Sequence, residues 1–248
     1  MILSIVEGIT EFLPVSSTGH LILTGSLLGV PESEFVKSFA IAIQCGAIFS
    51  VVLVYWRRFF DFESMKRVAA AFIPTAAVGF ALYKLIKKFL LGNALVVVAM
   101  LFLGGIFIIL FEWRHRDKNS DISAVARIPY PKAVLIGLCQ ALAVVPGVSR
   151  SAATVIGGLS LGIQRETIVE FSFLLAVPTL MAATALDLLK SSTSFTRAEW
   201  TLMGIGCAVS FAVGVAAIKG FLAFVKHFNL TVFGVYRVLA AVAFWYFV

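Results

Sequence analysis

Two short stretches decide how this chain is read: FLPVSSTGH (Phe12–His20) and VVPGVSRS (Val144–Ser151). Each interrupts a hydrophobic segment, residues 1–29 and 134–162, near its middle with a proline followed by small polar residues. Proline removes a backbone donor and ends a helix, and the Ser and Thr behind it suit the N-cap of a returning one. Neither half of either segment is long enough to cross a bilayer, which takes about 20 mostly apolar residues. Each segment therefore reads as a re-entrant helix pair that enters, turns near the midplane and leaves on its own side. Non-helical backbone survives at that depth only when it is buried in protein or faces a water-filled cavity. Two such breaks point to one internal polar site.

The rest of the chain supplies the setting. Of its 248 residues 60% are apolar and 13% charged, and the mean hydropathy is +1.01. A soluble domain carries about a quarter charged residues, and one this apolar would expose large sticky patches. A cytosolic enzyme is thus excluded, and so is a disordered chain. Six stretches are long and apolar enough to span: 36–56, 68–86, 94–112, 167–189, 198–218 and 230–248. The net charge of +7 lacks the basic, polar stripe of a nucleic-acid binder and belongs to loops. Of the 20 Lys and Arg, twelve, Arg57, Arg114, Arg116, Lys118 and Arg165 among them, fall on one face. Six, including Lys37, Lys84, Lys87, Lys88 and Lys190, fall on the other, which leaves Arg150 and Arg237 inside. The positive-inside rule makes the first face cytoplasmic, so both termini and the mouth of the first re-entrant pair face outside. Met1 leads directly into a segment carrying Glu7 and Glu11, so no cleavable signal peptide is expected. Cys45, Cys139 and Cys207 lack CxxC spacing and read as small core residues. Trp56, Trp113, Trp200 and Trp245 read as interfacial anchors and Gly104-Gly105 as close helix packing.

The chain also resembles itself at an offset of 132. Pro14 meets Pro146, Ser17 meets Ser149, Gly25 meets Gly157, Phe39 meets Phe171, and Lys87-x-Phe89-Leu90 meets Lys219-x-Phe221-Leu222. Each half then holds one re-entrant pair and three crossings. Three is odd, so the second half lies upside down relative to the first, an inverted-topology repeat. The expected fold is an all-α integral membrane protein, one membrane domain over 1–248. It has six transmembrane helices and two re-entrant pairs, in repeats of about 1–112 and 134–248 joined by a cytoplasmic loop, 113–133.

The polar exceptions carry the chemistry. Glu7 and Glu11, four residues apart, share one helix face, and charge inside a membrane segment is costly enough to mark function. As a carboxylate pair they suit either a divalent cation or proton transfer; the plainer reading has Glu11 pairing with Arg150. Ser16-Ser17-Thr18-Gly19-His20 sets three hydroxyls and an imidazole at a helix start, where free N–H groups favour an anion, phosphate above all. Ser149-Arg150-Ser151, with Thr154 one turn on, repeats this with a guanidinium whose fork fits phosphate oxygens. Together these residues form a phosphate or diphosphate pocket with a nucleophile, a proton shuttle and an acidic pair. Gln44, Gln140, Glu170 and Ser172 are weaker candidates for the cavity wall, more often interhelical hydrogen-bonding groups, and Arg237 reads as snorkelling from the last span.

VEGITEFLPVSSTGHLIL (Val6–Leu23), PGVSRSAATVIGG (Pro146–Gly158) and EFSFLLAVPTLMAATALDL (Glu170–Leu188) closely resemble the undecaprenyl-diphosphate phosphatase family of the bacitracin-resistance type. The likeness runs over nearly the whole chain; family members generally have several more residues before the first motif. The resemblance implies a hydrolase of the bacterial plasma membrane that converts undecaprenyl diphosphate to the monophosphate carrier for peptidoglycan, with its site on the extracytoplasmic side. It implies metal-linked roles for Glu7 and Glu11, with Mg or Ca as the cation, Ser17 as nucleophile, His20 assisting and Arg150 on the diphosphate. Ser16, Thr18, Ser149, Ser151 and Thr154 would complete the substrate contacts. The expected partners are the polyprenyl diphosphate and membrane lipids, with a homodimer left open. Inverted repeats around a midplane anion site equally describe a secondary transporter or a flippase for a phosphorylated lipid. The Ser/His pair beside an arginine is what a phosphatase needs and a transporter does not.

Overall fold

The computed structural model describes residues 1–31, 33–89, 94–115, 122–190 and 195–245, with backbone alone over 83–89 and 186–190. Leu90, Arg116 and Lys118, and the side chains of Lys84, Lys87, Lys88, Phe89 and Lys190, used in the sequence reading, lie outside what is described. The described residues form helices and no strand: α1 (Ile2–Thr10), α2 (Ser17–Leu27), α3 (Glu34–Val54), α4 (Phe62–Phe89) and α5 (Ala94–Arg114), then α6 (Tyr130–Ala141), α7 (Arg150–Ser160), α8 (Arg165–Lys190), α9 (Arg197–Val225) and α10 (Thr231–Trp245). Five of these, α3, α4, α5, α8 and α9, are long and apolar enough to cross a membrane. The sixth expected span, 230–248, is described only through α10, a helix of 15 residues.

This is a multi-pass membrane protein by its surface as well. Phe49, Ile73, Phe80, Leu103, Phe107 and Leu239 are each more than half exposed, which water would penalise and lipid does not. Trp56, Trp113, Trp200 and Trp245 are exposed near helix ends, where interfacial anchors belong. The three cysteines are free and half-buried.

Both interrupted segments contain a pair of short helices. At 1.5 Å per residue, α1 and α2 reach only about 14 and 17 Å, against a hydrocarbon core of about 30 Å. Ser16 begins α2 with φ 70° and Ser149 begins α7 with φ 75°. Both helices end at a left-handed glycine, Gly29 and Gly162, followed by the same closing bond, Val30 N–H to Gly25 and Ile163 N–H to Gly158. The offset is 133 in all three pairs, so the sequence pairing of Ser17 with Ser149 is one residue out. Gly147 is the extra residue in the second turn, and Ser17 corresponds by backbone position to Arg150.

The long helices are held apart and together by position-specific features. Pro74 in α4 and Pro178 in α8 each remove a helical donor. The following threonines bond the loosened turns, Thr75 to the Ala71 carbonyl at 3.1 Å and Thr179 to that of Leu175 at 2.7 Å. In the core Phe12, beside the first turn, packs edge-on against Phe173 of α8 at 5.5 Å. One ion pair ties α5 to α8 beside the start of α10. Arg165 bonds both carboxylate oxygens of Glu112, at 2.5 and 3.0 Å, and Glu112 also accepts from the Leu230 N–H at 3.1 Å. Glu170 likewise pairs with Arg58 at 2.6 Å. It sits early in α8, within reach of the 56–60 turn, and takes the bonding role between elements that is more common for such side chains rather than a place on the cavity wall.

Glu112→Ala removes the carboxylate from a guanidinium that is 8% exposed, and should destabilise the protein by about 3–5 kcal/mol. Glu34→Ala breaks only a solvent-facing pair with Lys37 and should leave the melting midpoint in detergent nearly unchanged. Gly162→Ala, with φ 74° and open space around the new Cβ, should cost about 1–2 kcal/mol of backbone strain. Gly147→Ala should cost distinctly more in the same melting assay, because its Cβ would also lie 2.7 Å from the Val97 carbonyl oxygen.

Candidate active site

The two proline turns meet at one carboxylate. Glu11, just past the end of α1, accepts the Ser17 hydroxyl on Oε2 at 2.5 Å and Arg150 Nη2 on Oε1 at 3.2 Å. Arg150 also donates from Nη2 to the Glu11 carbonyl at 3.3 Å and from Nη1 to the Ser172 carbonyl at 2.9 Å. The Arg150 and Glu11 side chains are 10% and 5% exposed. The buried Nε of Arg150 has no hydrogen-bond partner among the described residues.

A cavity of about 180 Å³ opens beside this contact. Glu11, Ser16, Ser17, Thr18, Ser149 and Arg150 line it, with Gln44, Thr75 and Thr179 from the middles of α3, α4 and α8 and Gln140 from the end of α6. Ala143, Val144, Val145 and Leu180 form its apolar wall. The site thus combines two helix starts, a hydroxyl already bonded to a base, and a guanidinium.

Other expected members stand elsewhere. His20 does not touch Ser17: its Nδ1 lies 2.8 Å from the Ser16 carbonyl and its Nε2 2.7 Å from the Tyr236 hydroxyl. A carbonyl only accepts, so Nδ1 carries a proton and donates it to Ser16, and Nε2 shares a hydrogen bond with the Tyr236 hydroxyl. The expected Ser17–His20 bond is therefore replaced by Ser17–Glu11, because α10 draws the imidazole away. Thr154 is turned onto the Arg150 carbonyl at 2.8 Å and onto Gln140 at 3.3 Å. The Ser151 hydroxyl is buried with no hydrogen-bond partner among the described residues and does not line the cavity. Ser149 caps its helix by accepting the Ala152 N–H at 3.3 Å, whereas the Ser16 side chain makes no cap bond. Gln140 ties the cavity floor together through Thr75 at 3.2 Å and Thr179 at 3.1 Å.

Glu7 lies one turn before Glu11, and neither of its buried carboxylate oxygens has a hydrogen-bond partner among the described residues. An orphaned carboxylate of this kind fits a hard cation or a proton. Among the described residues no group of three or more His, Cys, Asp or Glu is placed to hold a metal, so the carboxylates offered to a cation here are those of Glu7 and Glu11.

One neighbour of the site is a residue that the sequence reading leaves outside it. Arg237 is fully buried rather than snorkelling, and it donates to carbonyls of both turns, Pro14 at 3.3 Å, Gly147 at 2.7 Å and Val148 at 3.0 Å. Its only sequence signal is a charge in the middle of an apolar helix.

A protein-family profile described as Bacitracin resistance protein BacA matches residues 1–243. An undecaprenyl-diphosphatase of Aquifex aeolicus (strain VF5) is 52% identical over 240 residues, covering 96% of this chain and 93% of that protein. Those of Sulfurihydrogenibium sp. (strain YO3AOP1) and Wolinella succinogenes are 48% and 46% identical over 248 residues, covering 98% and 96% of their lengths. With the motifs, the helical membrane fold and these relatives in agreement, the chain belongs to the BacA bacitracin-resistance family.

Proposed function

We infer that this protein is an undecaprenyl-diphosphatase: it hydrolyses undecaprenyl diphosphate to undecaprenyl phosphate and inorganic phosphate, recycling the carrier lipid for cell-wall synthesis and conferring bacitracin resistance. The observation that carries the reading is the Ser17–Glu11–Arg150 chain at the cavity wall. A transporter needs an anion site; it has no use for a serine hydroxyl bonded to a buried carboxylate.

The mechanism follows from those contacts. Arg150 and the helix start at Ser149 hold the diphosphate and take up the charge that develops as the lipid phosphate leaves. Ser17 Oγ attacks the terminal phosphorus while Glu11 accepts its proton. The bond from that phosphorus to the bridging oxygen breaks, and undecaprenyl phosphate departs with the bridging oxygen. Water then attacks the phosphoserine, releases inorganic phosphate and restores the serine. His20 supports the strained Ser16 through its carbonyl rather than abstracting the proton. Glu7 and Glu11 would hold a divalent cation, Mg or Ca, whose contribution is charge neutralisation on the diphosphate. The polyprenyl tail stays in lipid, past the Val144, Val145 and Leu180 wall.

The architecture we propose around this site is six spans and two re-entrant pairs in two inverted repeats, about 1–112 and 134–248. It is supported by the shared cap geometry of α2 and α7 and by reciprocal packing, α1 on α9 and α6 on α4. The loop arginines and lysines favour a cytoplasmic 113–133 segment and a site open to the outer side of the plasma membrane.

Purified protein given undecaprenyl diphosphate in detergent should release phosphate without any gradient. Ser17→Ala should reduce that rate by about 10³-fold or more, and turnover near wild type would remove the serine nucleophile. Glu11→Gln should cost about 10²–10⁴-fold. Chelation should abolish activity and added magnesium or calcium restore it; indifference to chelation would leave Glu7 a proton carrier.

A further inference from the structure

A buried arginine normally faces a carboxylate. Arg237 has none among the described residues, and instead spends all five of its N–H donors on backbone carbonyls. Nε bonds Leu101 at 3.3 Å, Nη1 bonds Pro14 at 3.3 Å and Val148 at 3.0 Å, and Nη2 bonds Met100 at 2.9 Å and Gly147 at 2.7 Å. Three elements, the first turn, the second turn and the middle of α5, therefore converge on one planar group carried by α10.

We propose that Arg237 is a positioning residue for the phosphatase site, a clamp that fixes the two proline turns to each other and so keeps Ser17 and Arg150 in register. It does not line the cavity and acts through the turns alone. Pro14 stands three residues before Ser17, and Gly147 and Val148 stand three and two before Arg150. The C=O and N–H of a trans peptide point to opposite sides, so pinning the Val148 carbonyl turns the Ser149 N–H away from Arg237. The clamp also lies beside both strained residues, Ser16 and Ser149, whose positive φ values persist only where their surroundings over-determine them.

The Gly104-Gly105 pair is explained by the same group. A Cβ at Gly104 would lie 2.2 Å from Arg237 Nη2, and one at Gly105 would lie 2.7 Å from the Gly234 carbonyl oxygen. Gly104 makes room for the guanidinium, and Gly105 lets α10 approach α5. A lysine keeps the charge but presents three donors from a single point and cannot serve both turns and α5 at once.

The inference rests on the phosphatase reading for its kinetic part only. Its test compares wild type, Arg237→Lys and Gly104→Ala as full chains in nanodiscs, by amide hydrogen exchange and by turnover of undecaprenyl diphosphate. Both variants should speed exchange about tenfold or more in peptides covering 11–16 and 145–149 together, with α3 and α9 unchanged. Per folded enzyme, kcat should fall about a hundredfold, while KM moves severalfold at most because Arg150 keeps its charge. Exchange that rises in one turn only or throughout the bundle, or kcat left intact in folded variants, overturns the clamp. Loss of folding in both variants also overturns it, by reducing Arg237 to a folding requirement. If the wild type itself releases no phosphate, the phosphatase reading fails while the exchange comparison still decides the clamp.

Discussion

Everything in this protein is arranged around one carboxylate, Glu11, which accepts a hydroxyl from its own turn and a guanidinium from the other. In an apolar bundle each of these groups alone is expensive, and breaking such a pair strands a buried charge. The contact forms only if two separate breaks in the chain arrive at the same depth. Glycines make that approach feasible: a Cβ at Gly8 would strike the Ser210 carbonyl oxygen at 2.8 Å, one at Gly46 that of Cys207 at 2.2 Å, and one at Gly137 that of Ala71 at 2.0 Å. Close backbone packing of α1 on α9, α3 on α9 and α6 on α4 thus fixes where the turns end.

The cavity's size and lining suit the division of labour proposed for the substrate. At about 180 Å³ it is smaller than the roughly 300 Å³ at the low end of ligand pockets. In that proposal a diphosphate head group would meet hydroxyls, two helix starts and a guanidinium there. The long chain needs no enclosed site when the exterior of the protein is already hydrocarbon-compatible.

Much of the site was legible because membrane insertion makes polar residues conspicuous. Glu7, Glu11 and Arg150 stood out by their cost, and Pro14 and Pro146 located the turns correctly. The partner of each group was harder to read. His20 was matched with its near neighbour Ser17, but Tyr236, 216 residues away, claims it; nothing in local spacing encodes that approach of α10. Arg237 was read as a snorkelling side chain because its partners are backbone carbonyls, which carry no residue-specific signal. Gly147 shifted the second turn by one residue, a change visible only once the φ values of Ser16 and Ser149 are compared. Glu170 was a weaker cavity candidate by its position in an apolar motif, and a turn that ends beside it supplies Arg58 as its partner.

The central claim is that Ser17, bonded to Glu11, attacks the terminal phosphorus before water does. The most direct measurement is the stereochemical course at that phosphorus, using undecaprenyl diphosphate made chiral at its terminal group and isotopically labelled water. Two in-line displacements through a phosphoserine predict net retention of configuration. Net inversion would show that water attacks in a single step, and would contradict the account.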